Sequence, residues 1–302
     1  MNTPATEDVT CAICGSNDST LLFADKRLSL SGKKGIVRCT NCGLVYRNIR
    51  MSDSDIWEYY EENYQNQSND WAEGKKNHYK PYMNLITSFR KHNQILDLGA
   101  GQGFFLAMCK ESDWDCYGIE PSIECGRFAS DHFGLHLSKE VLDDGQFEDD
   151  FFDVVTFWNV LDFIPDPIKT LSLVYRILRP GGAVLIRCIN APFHIVARRT
   201  VTAAMKISPK FNALNHSVFH PNNFDRHTLV HMLSMTHFDD IRVTPAKLSW
   251  TTTFDASSDI FKKSASKAID GISRIFYWMT AGEIISPSLL AIALKPVATE
   301  ND

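Results

Sequence analysis

Two pairs of cysteines, Cys11-Ala-Ile-Cys14 and Cys39-Thr-Asn-Cys42, each run into a glycine and share one short stretch near the start of the chain. A C-x2-C turn ending in glycine lets backbone N–H groups point at its two thiolates, and two such turns together build a tetrahedral four-sulfur site. Four thiolates leave no exchangeable position. The spacing therefore predicts a structural zinc held by Cys11, Cys14, Cys39 and Cys42, whose binding energy replaces the core that about 40 residues cannot supply. The competing reading is a pair of disulfides or unrelated thiols. Cys109, Cys116, Cys125 and Cys188 fall in apolar helical or strand patterns and read as buried thiols.

The other chemistry-bearing cluster is Gly99-Ala100-Gly101-Gln102-Gly103, between the apolar run Gln94–Leu98 and a helical run opening with Phe104 and Phe105. Strand, glycine turn and helix in that order present backbone N–H groups to a ligand. A dinucleotide fingerprint needs a further glycine at position 104 or 106, and these hold Phe104 and Leu106. Asp97, at the end of the strand, is within reach of the amino group of a methionine moiety. Glu120 ends the next apolar run, Cys116–Ile119, which follows the helix begun at Gly103. A carboxylate there can accept both hydroxyls of a ribose. The turn and the acid together specify an adenosine ligand.

The elements that must position these groups alternate strand and helix from residue 94, which predicts an α/β core with a mostly parallel sheet covered on both faces. Phe152–Phe157 reads as a strand leading into Trp158-Asn159-Val160-Leu161, and Leu171, Val174 and Ile177 mark a helix. Leu178-Arg-Pro-Gly-Gly182 is expected to stop that helix in a turn, followed by a strand from Ala183 to Cys188. A final strand covers Leu289–Leu294. This divides the chain into a ribbon over 1–50, a helical connector or lid over 51–92, and the α/β domain over 93–302, with insertions at about 190–225 and 250–287. Within the ribbon, Leu21–Phe23, Gly35–Arg38 and Leu44–Tyr46 read as short strands. The connector is rich in aromatics, and its helix either packs on the main domain or closes a Tyr over the ligand.

The segment Ile95-Leu-Asp-Leu-Gly-Ala-Gly-Gln-Gly103, with Glu120, Phe152-Asp-Val-Val155 and Leu178–Gly182, resembles the class I S-adenosylmethionine (SAM)-dependent methyltransferases over residues 93–190. The resemblance implies their Rossmann-like sheet with an antiparallel last strand, and SAM as methyl donor. It also puts Leu142 and Asp143 near the adenine and Asn159 near the sulfonium. The ribbon, Cys39-Thr-Asn-Cys-Gly-Leu-Val-Tyr46 with a tyrosine-rich helix after it, looks like that of methyltransferases tailoring sugars and cell-surface polysaccharides. Those relatives often carry Glu-His after the fourth strand, where this chain has Asp162-Phe163.

Methyl transfer is an in-line displacement, and an oxygen or nitrogen acceptor also needs a base. His216 and His220, in the long 190–225 segment, are the candidate bases, with Tyr64 of the connector as the third. His231 and His237 read as surface residues. Two other functions compete: an RNA methyltransferase presenting substrate on its ribbon, and a non-catalytic SAM-binding zinc adaptor. The net charge is −5 and the pI about 6.1. The ribbon carries seven Lys and Arg against four Asp and Glu. Neither balance offers the basic stripe a nucleic-acid partner needs. The opening MNTPATEDVT lacks a basic start and an apolar run, and no stretch approaches the ~20 apolar residues of a membrane span. A cytoplasmic monomer or homodimer is expected. The apolar, lysine-bearing stripe around 258–280 reads as a packed or dimer helix, or as a surface for a membrane or lipid-linked substrate.

Overall fold

The computed structural model describes residues 6–24, 34–51, 71–208, 218–246 and 286–297. Tyr64, His216, the early connector and the 258–280 stripe lie outside the described residues.

Among the described residues the core is a six-stranded sheet of β6 (Gln94–Leu98), β7 (Asp115–Ile119), β8 (Phe152–Trp158), β9 (Leu178–Ile189), β11 (Asp239–Pro245) and β12 (Ser288–Leu294). Its spatial order is β11-β12-β9-β8-β6-β7. The pairs from β7 to β9 are parallel, and β12 runs antiparallel between β9 and β11. This is the Rossmann-like methyltransferase sheet with antiparallel closing strands. Every residue of β8 is buried, as a strand covered on both faces requires. No described helix is long and apolar enough to cross a membrane.

One local expectation is corrected. Arg179-Pro-Gly-Gly182 is part of β9, which begins at Leu178. Phe152 pairs with Leu178 but Val154 pairs with Ala183, so the extra residues form a bulge inside the strand. Proline, which has no N–H to give to the ladder, is tolerated at such a break.

The helices place the site. α1 (Trp71–Thr87) rests Tyr79 and Tyr82 against Trp158 at ring distances of 5.5 and 4.8 Å. α2 (Phe104–Lys110) starts directly after the glycine turn, and α3 (Ile123–Phe133) is capped by Ser122, whose hydroxyl accepts from the Cys125 N–H. α4 (Pro167–Ile177) precedes β9, and α5 (Ala191–Met205) follows it. α6 (Arg226–Met235) opens on a capping box between Asp225 and Thr228.

In the ribbon, β1 (Thr6–Asp8) pairs with β5 (Ile49–Met51), while β2 (Ser19–Ala24), β3 (Gly35–Cys39) and β4 (Val45–Arg47) form an antiparallel sheet. That sheet gains a fourth strand from the α/β domain: β10, Asn222–Asn223, lies antiparallel to β4. The two parts also share apolar packing. Cys11, Ile13, Leu44 and Tyr46 belong to one buried cluster with Phe157, Leu229, Met232 and Leu233.

Candidate metal centre and active site

At the metal centre, tight turns return the Gly15 N–H to the Cys11 carbonyl at 2.8 Å and the Gly43 N–H to the Cys39 carbonyl at 3.1 Å. The four predicted sulfurs come together, all within 4.8 Å of one another, with Cys11, Cys39 and Cys42 buried. Cys11 and Cys42 are 3.3 Å apart, and Cys14 and Cys39 are 3.5 Å apart. A disulfide needs about 2 Å. A tetrahedron with metal–sulfur bonds of about 2.3 Å has edges of about 3.8 Å, which this group matches. Burial pushes the Cys11 thiol up to about 11. At Cys14 burial also raises the thiol, but donors from the Ser16 backbone, Asn41 and Cys39 outweigh it and lower it to about 7.

At the glycine turn, Gly99 and Ala100 donate their N–H groups to the Ile119 carbonyl at 2.8 and 3.0 Å, tying β6 to the end of β7. Gly99 has φ +72°, and a Cβ there would sit 2.4 Å from a Val160 methyl. Only glycine lets the loop after β8 lie against the turn. Gly101, at φ +53°, instead faces open space, with no described atom within 4 Å of where a Cβ would be. Its N–H donates to Glu120 Oε2 at 2.7 Å, and the Ser122 N–H donates to Oε1 at 3.0 Å. The carboxylate is thus anchored by backbone at the rim of an open cradle. Gly103, also at positive φ, caps α2.

Asp97 is buried, and its Oδ1 accepts from Thr156 Oγ1 at 2.6 Å. Burial pushes its carboxyl up to about 8 against the lowering pull of Thr156, and the nearby Glu120 raises it further. A cation delivered to this carboxyl would find an acid that ionises on pairing.

A second polar group lies after β8. Asn159, at φ +61°, accepts from Arg187 through its Oδ1, and its N–H donates to the Arg187 carbonyl at 2.8 Å. Arg187 is 2% exposed in β9 and also donates to Ser288 Oγ at 3.2 Å. Asp162, in the short 3-10 turn Leu161–Phe163, is fully buried. Its Oδ2 lies 3.6 Å from His220 Nδ1. Burial pushes this carboxyl up, while His220, the Ile189 backbone and Arg187 pull it back. The His220 ring, 17% exposed, lies over Phe163 at 4.3 Å. An imidazole from residue 220 therefore lies beside Asp162.

Sequence reasoning missed Arg187 and the placement of Asp162 beside His220. The available signal was an arginine inside the otherwise apolar run Val184-Leu-Ile-Arg-Cys188. Buried charges persist where they are paired. Leu142 is half-buried against the core, and Asp143 is exposed, 3.8 Å from Lys169 Nζ.

A methyltransferase-domain family matches residues 71–243, more than half of the chain. The chain belongs to this methyltransferase family. Among curated relatives, the methyltransferase is 30% identical over 105 residues to a ubiquinone biosynthesis O-methyltransferase of Methylococcus capsulatus, 32% of this chain and 44% of that protein. It is 32% identical over 109 residues to a ubiquinone/menaquinone biosynthesis C-methyltransferase of Pectobacterium carotovorum, again 32% of this chain and 42% of the relative. The matches span less than half the length of these relatives. Among solved structures, a SAM-dependent methyltransferase from Archaeoglobus fulgidus superposes with a TM-score of 0.47 at 18% identity, covering 79% of this chain and 99% of that one. A chain of the Haloferax volcanii complex between the Trm112 methyltransferase activator and a methyltransferase gives 0.50 at 16% identity, covering 76% and 95%. The methyltransferase shares the fold of this Haloferax chain.

Proposed function

We propose that this methyltransferase moves a methyl group from SAM to a hydroxyl-bearing small molecule, with His220 as base. The observation that carries the reading is the cradle itself: an open face at Gly101, rimmed by the anchored Glu120 and the perturbed Asp97. SAM, when bound, supplies the electrophilic methyl. Glu120 holds the ribose hydroxyls, Gly99 to Gly103 keep the backbone close, Leu142 and Asp143 border the adenine, and Asp97 takes the ammonium. Asn159, oriented by Arg187, would face the sulfonium end. The imidazole of His220 takes the acceptor's proton as the acceptor oxygen bonds to the methyl carbon, and the sulfur leaves as a neutral thioether. Tyr64 and His216 are the alternative proton acceptors.

The acceptor class we favour is a sugar, nucleotide sugar or polysaccharide precursor. It is supported by the likeness of the ribbon and tyrosine-rich connector to those of glycan-tailoring enzymes. The printed names of the curated relatives support the broader class of small molecules. Zinc is the metal that suits a buried, closed set of four thiols, in a structural role.

Calorimetry with SAM and S-adenosylhomocysteine, followed by methyl-labelled transfer to nucleotide sugars and glycan precursors, tests the reading. Binding in the micromolar range and labelled product are expected, with His220→Gln lowering turnover about 10²- to 10⁴-fold. Absence of binding at millimolar SAM would sink this reading, while binding without transfer to any acceptor would favour the SAM-binding zinc adaptor.

A further inference from the structure

The residue proposed as base is held in place from the ribbon side. Arg47, the last residue of β4, donates from Nε and Nη2 to the Phe219 carbonyl at 3.3 and 3.1 Å. The Arg47 N–H donates to the Pro221 carbonyl at 2.9 Å. The backbone on both sides of His220 is thereby fixed by one ribbon residue. Asn223 closes the loop: its Oδ1 accepts the His220 N–H and its Nδ2 donates to the His220 carbonyl, both at 2.8 Å, while Nδ2 also reaches the Val45 carbonyl at 3.2 Å. On the far side, Asn222 Nδ2 donates to the Ile164 carbonyl at 2.9 Å, next to Phe163. The loop is therefore clamped between β4 and the 3-10 turn that carries Asp162.

These bonds fix both carbonyls flanking His220 and its own N–H, so its side chain has little freedom beyond its two torsions. Its ring lies over Phe163 with Nδ1 toward Asp162. The groups facing Asp162 are this imidazole, the Ile189 backbone and Arg187. Asp162 Oδ2 and Nδ1 stand 3.6 Å apart without a hydrogen bond between them, and when ionised this carboxylate favours the tautomer with its proton on Nδ1, which leaves the lone pair on Nε2.

We propose that ribbon strand β4 is a positioning element for methyl transfer: Arg47 and Asn223 set the backbone at Phe219–Pro221 so that His220 points Nδ1 at Asp162 and presents Nε2 to the acceptor's proton. The proposal rests on His220 being the base. It gives the ribbon a task beyond fold support, since the strand following the second cysteine pair ends on the residue that grips the loop. Arg47, Asn223 and Asp162 are positioning residues; they act through His220.

The test is imidazole 15N NMR on the full chain saturated with S-adenosylhomocysteine, with the His220 signals assigned by their loss in His220→Gln. The wild type is expected to hold His220 mainly as the Nδ1–H tautomer. Arg47→Ala should at least halve that population in favour of Nε2–H, which predominates in unconstrained imidazoles, with S-adenosylhomocysteine affinity within about twofold of wild type. Arg47→Lys, which retains one donor for the Phe219 carbonyl, should restore part of it. An unchanged tautomer in Arg47→Ala overturns the proposal, as does a wild-type ring already dominated by Nε2–H. Should the alanine variant fail to fold, hydrogen exchange of the wild-type chain in sub-denaturing urea decides: amides at 45–47 and at 219, 220, 222 and 223 should open together. Protection persisting at the latter four after 45–47 has opened refutes the coupling. Unchanged turnover in His220→Gln would remove the base reading while leaving the tautomer result standing, so the two failures are distinguishable.

Discussion

In the ribbon, four sulfurs close on one another within 4.8 Å, and three of them are buried. At the glycine turn, Gly101 meets no described atom within 4 Å of where a Cβ would be, and the acidic groups around it are held by backbone N–H groups or a neighbouring hydroxyl. The first arrangement is complete once a metal sits in it. The second carries an acid whose ionisation is set by burial and which improves only when a ligand arrives, the Asp97 carboxyl pushed up to about 8. A closed donor set contributes to stability, while an open set of perturbed groups costs stability and gains binding.

The largest effect should come from the closed site. Cys39→Ser with Cys42→Ser, or chelation, should remove the metal and lower stability by more than about 5 kcal/mol, given the scale of zinc binding in small domains. Because Cys11, Leu44 and Tyr46 share a core with Leu229 and Met232, the loss should lower the melting temperature of the whole chain. A separate ribbon transition, with the α/β melt unmoved, would show that the two regions are energetically independent.

Next come the two glycines that differ in surroundings. Gly99→Ala meets Val160 at 2.4 Å and holds alanine at φ +72°, so it should cost about 2–4 kcal/mol and abolish SAM binding. Gly101→Ala meets no described atom, so thermal melting should fall by less while calorimetry still shows SAM affinity at least tenfold weaker. Equal destabilisation by the two would mean that the cradle is not open.

Asp97→Asn should separate stability from binding. An acid whose folded pKa is raised destabilises the native state above its ordinary value of 3.8, and the cost grows until about 8. The asparagine variant should therefore melt higher at pH 7 and bind SAM at least 100-fold more weakly. In the wild type, pairing with an ammonium should release close to one proton at pH 7, read by calorimetry in buffers of different ionisation enthalpy. No proton release would remove Asp97 from the ligand.

An effect confined to acid pH concerns His194, on α5, whose Nδ1 accepts the Val218 N–H at 3.3 Å and whose Nε2 faces the Pro287 carbonyl at 3.2 Å. Burial pushes its pKa down from 6.5 to about 4, with His220 lowering it further against the Pro287 carbonyl. A lowered histidine pKa means the unfolded chain takes up the proton first. Stability should be full above pH 6.5 and decline by up to about 3 kcal/mol as pH falls to 4. Urea midpoints at pH 7 and pH 4.5 should show a drop that shrinks in His194→Gln.

The legible part of the molecule was local. Cys-x2-Cys spacing, the glycine turn and the acid after the next apolar run are each contiguous, so chain connectivity alone brings their atoms together. The strands around them were readable because buried parallel strands are near-continuous apolar runs, as in Phe152–Trp158. The bulge at Arg179–Gly182 was not, because a Pro-Gly-Gly sequence suits a turn and a strand irregularity equally, and only the neighbouring Phe152–Val154 register decides between them.

What the sequence determined by itself was therefore the make-up of each candidate site: four thiols that could hold a metal, and a glycine turn with two acids proposed for an adenosine ligand. Tertiary structure alone decided how the sites connect. Among the described residues a helix, a strand and a second helix lie between Asp162 and His220, and β10 joins a ribbon strand that is remote from it in sequence. Such pairings depend on which backbone edges and charged groups remain to be satisfied once the sheet is built, and no local pattern records that.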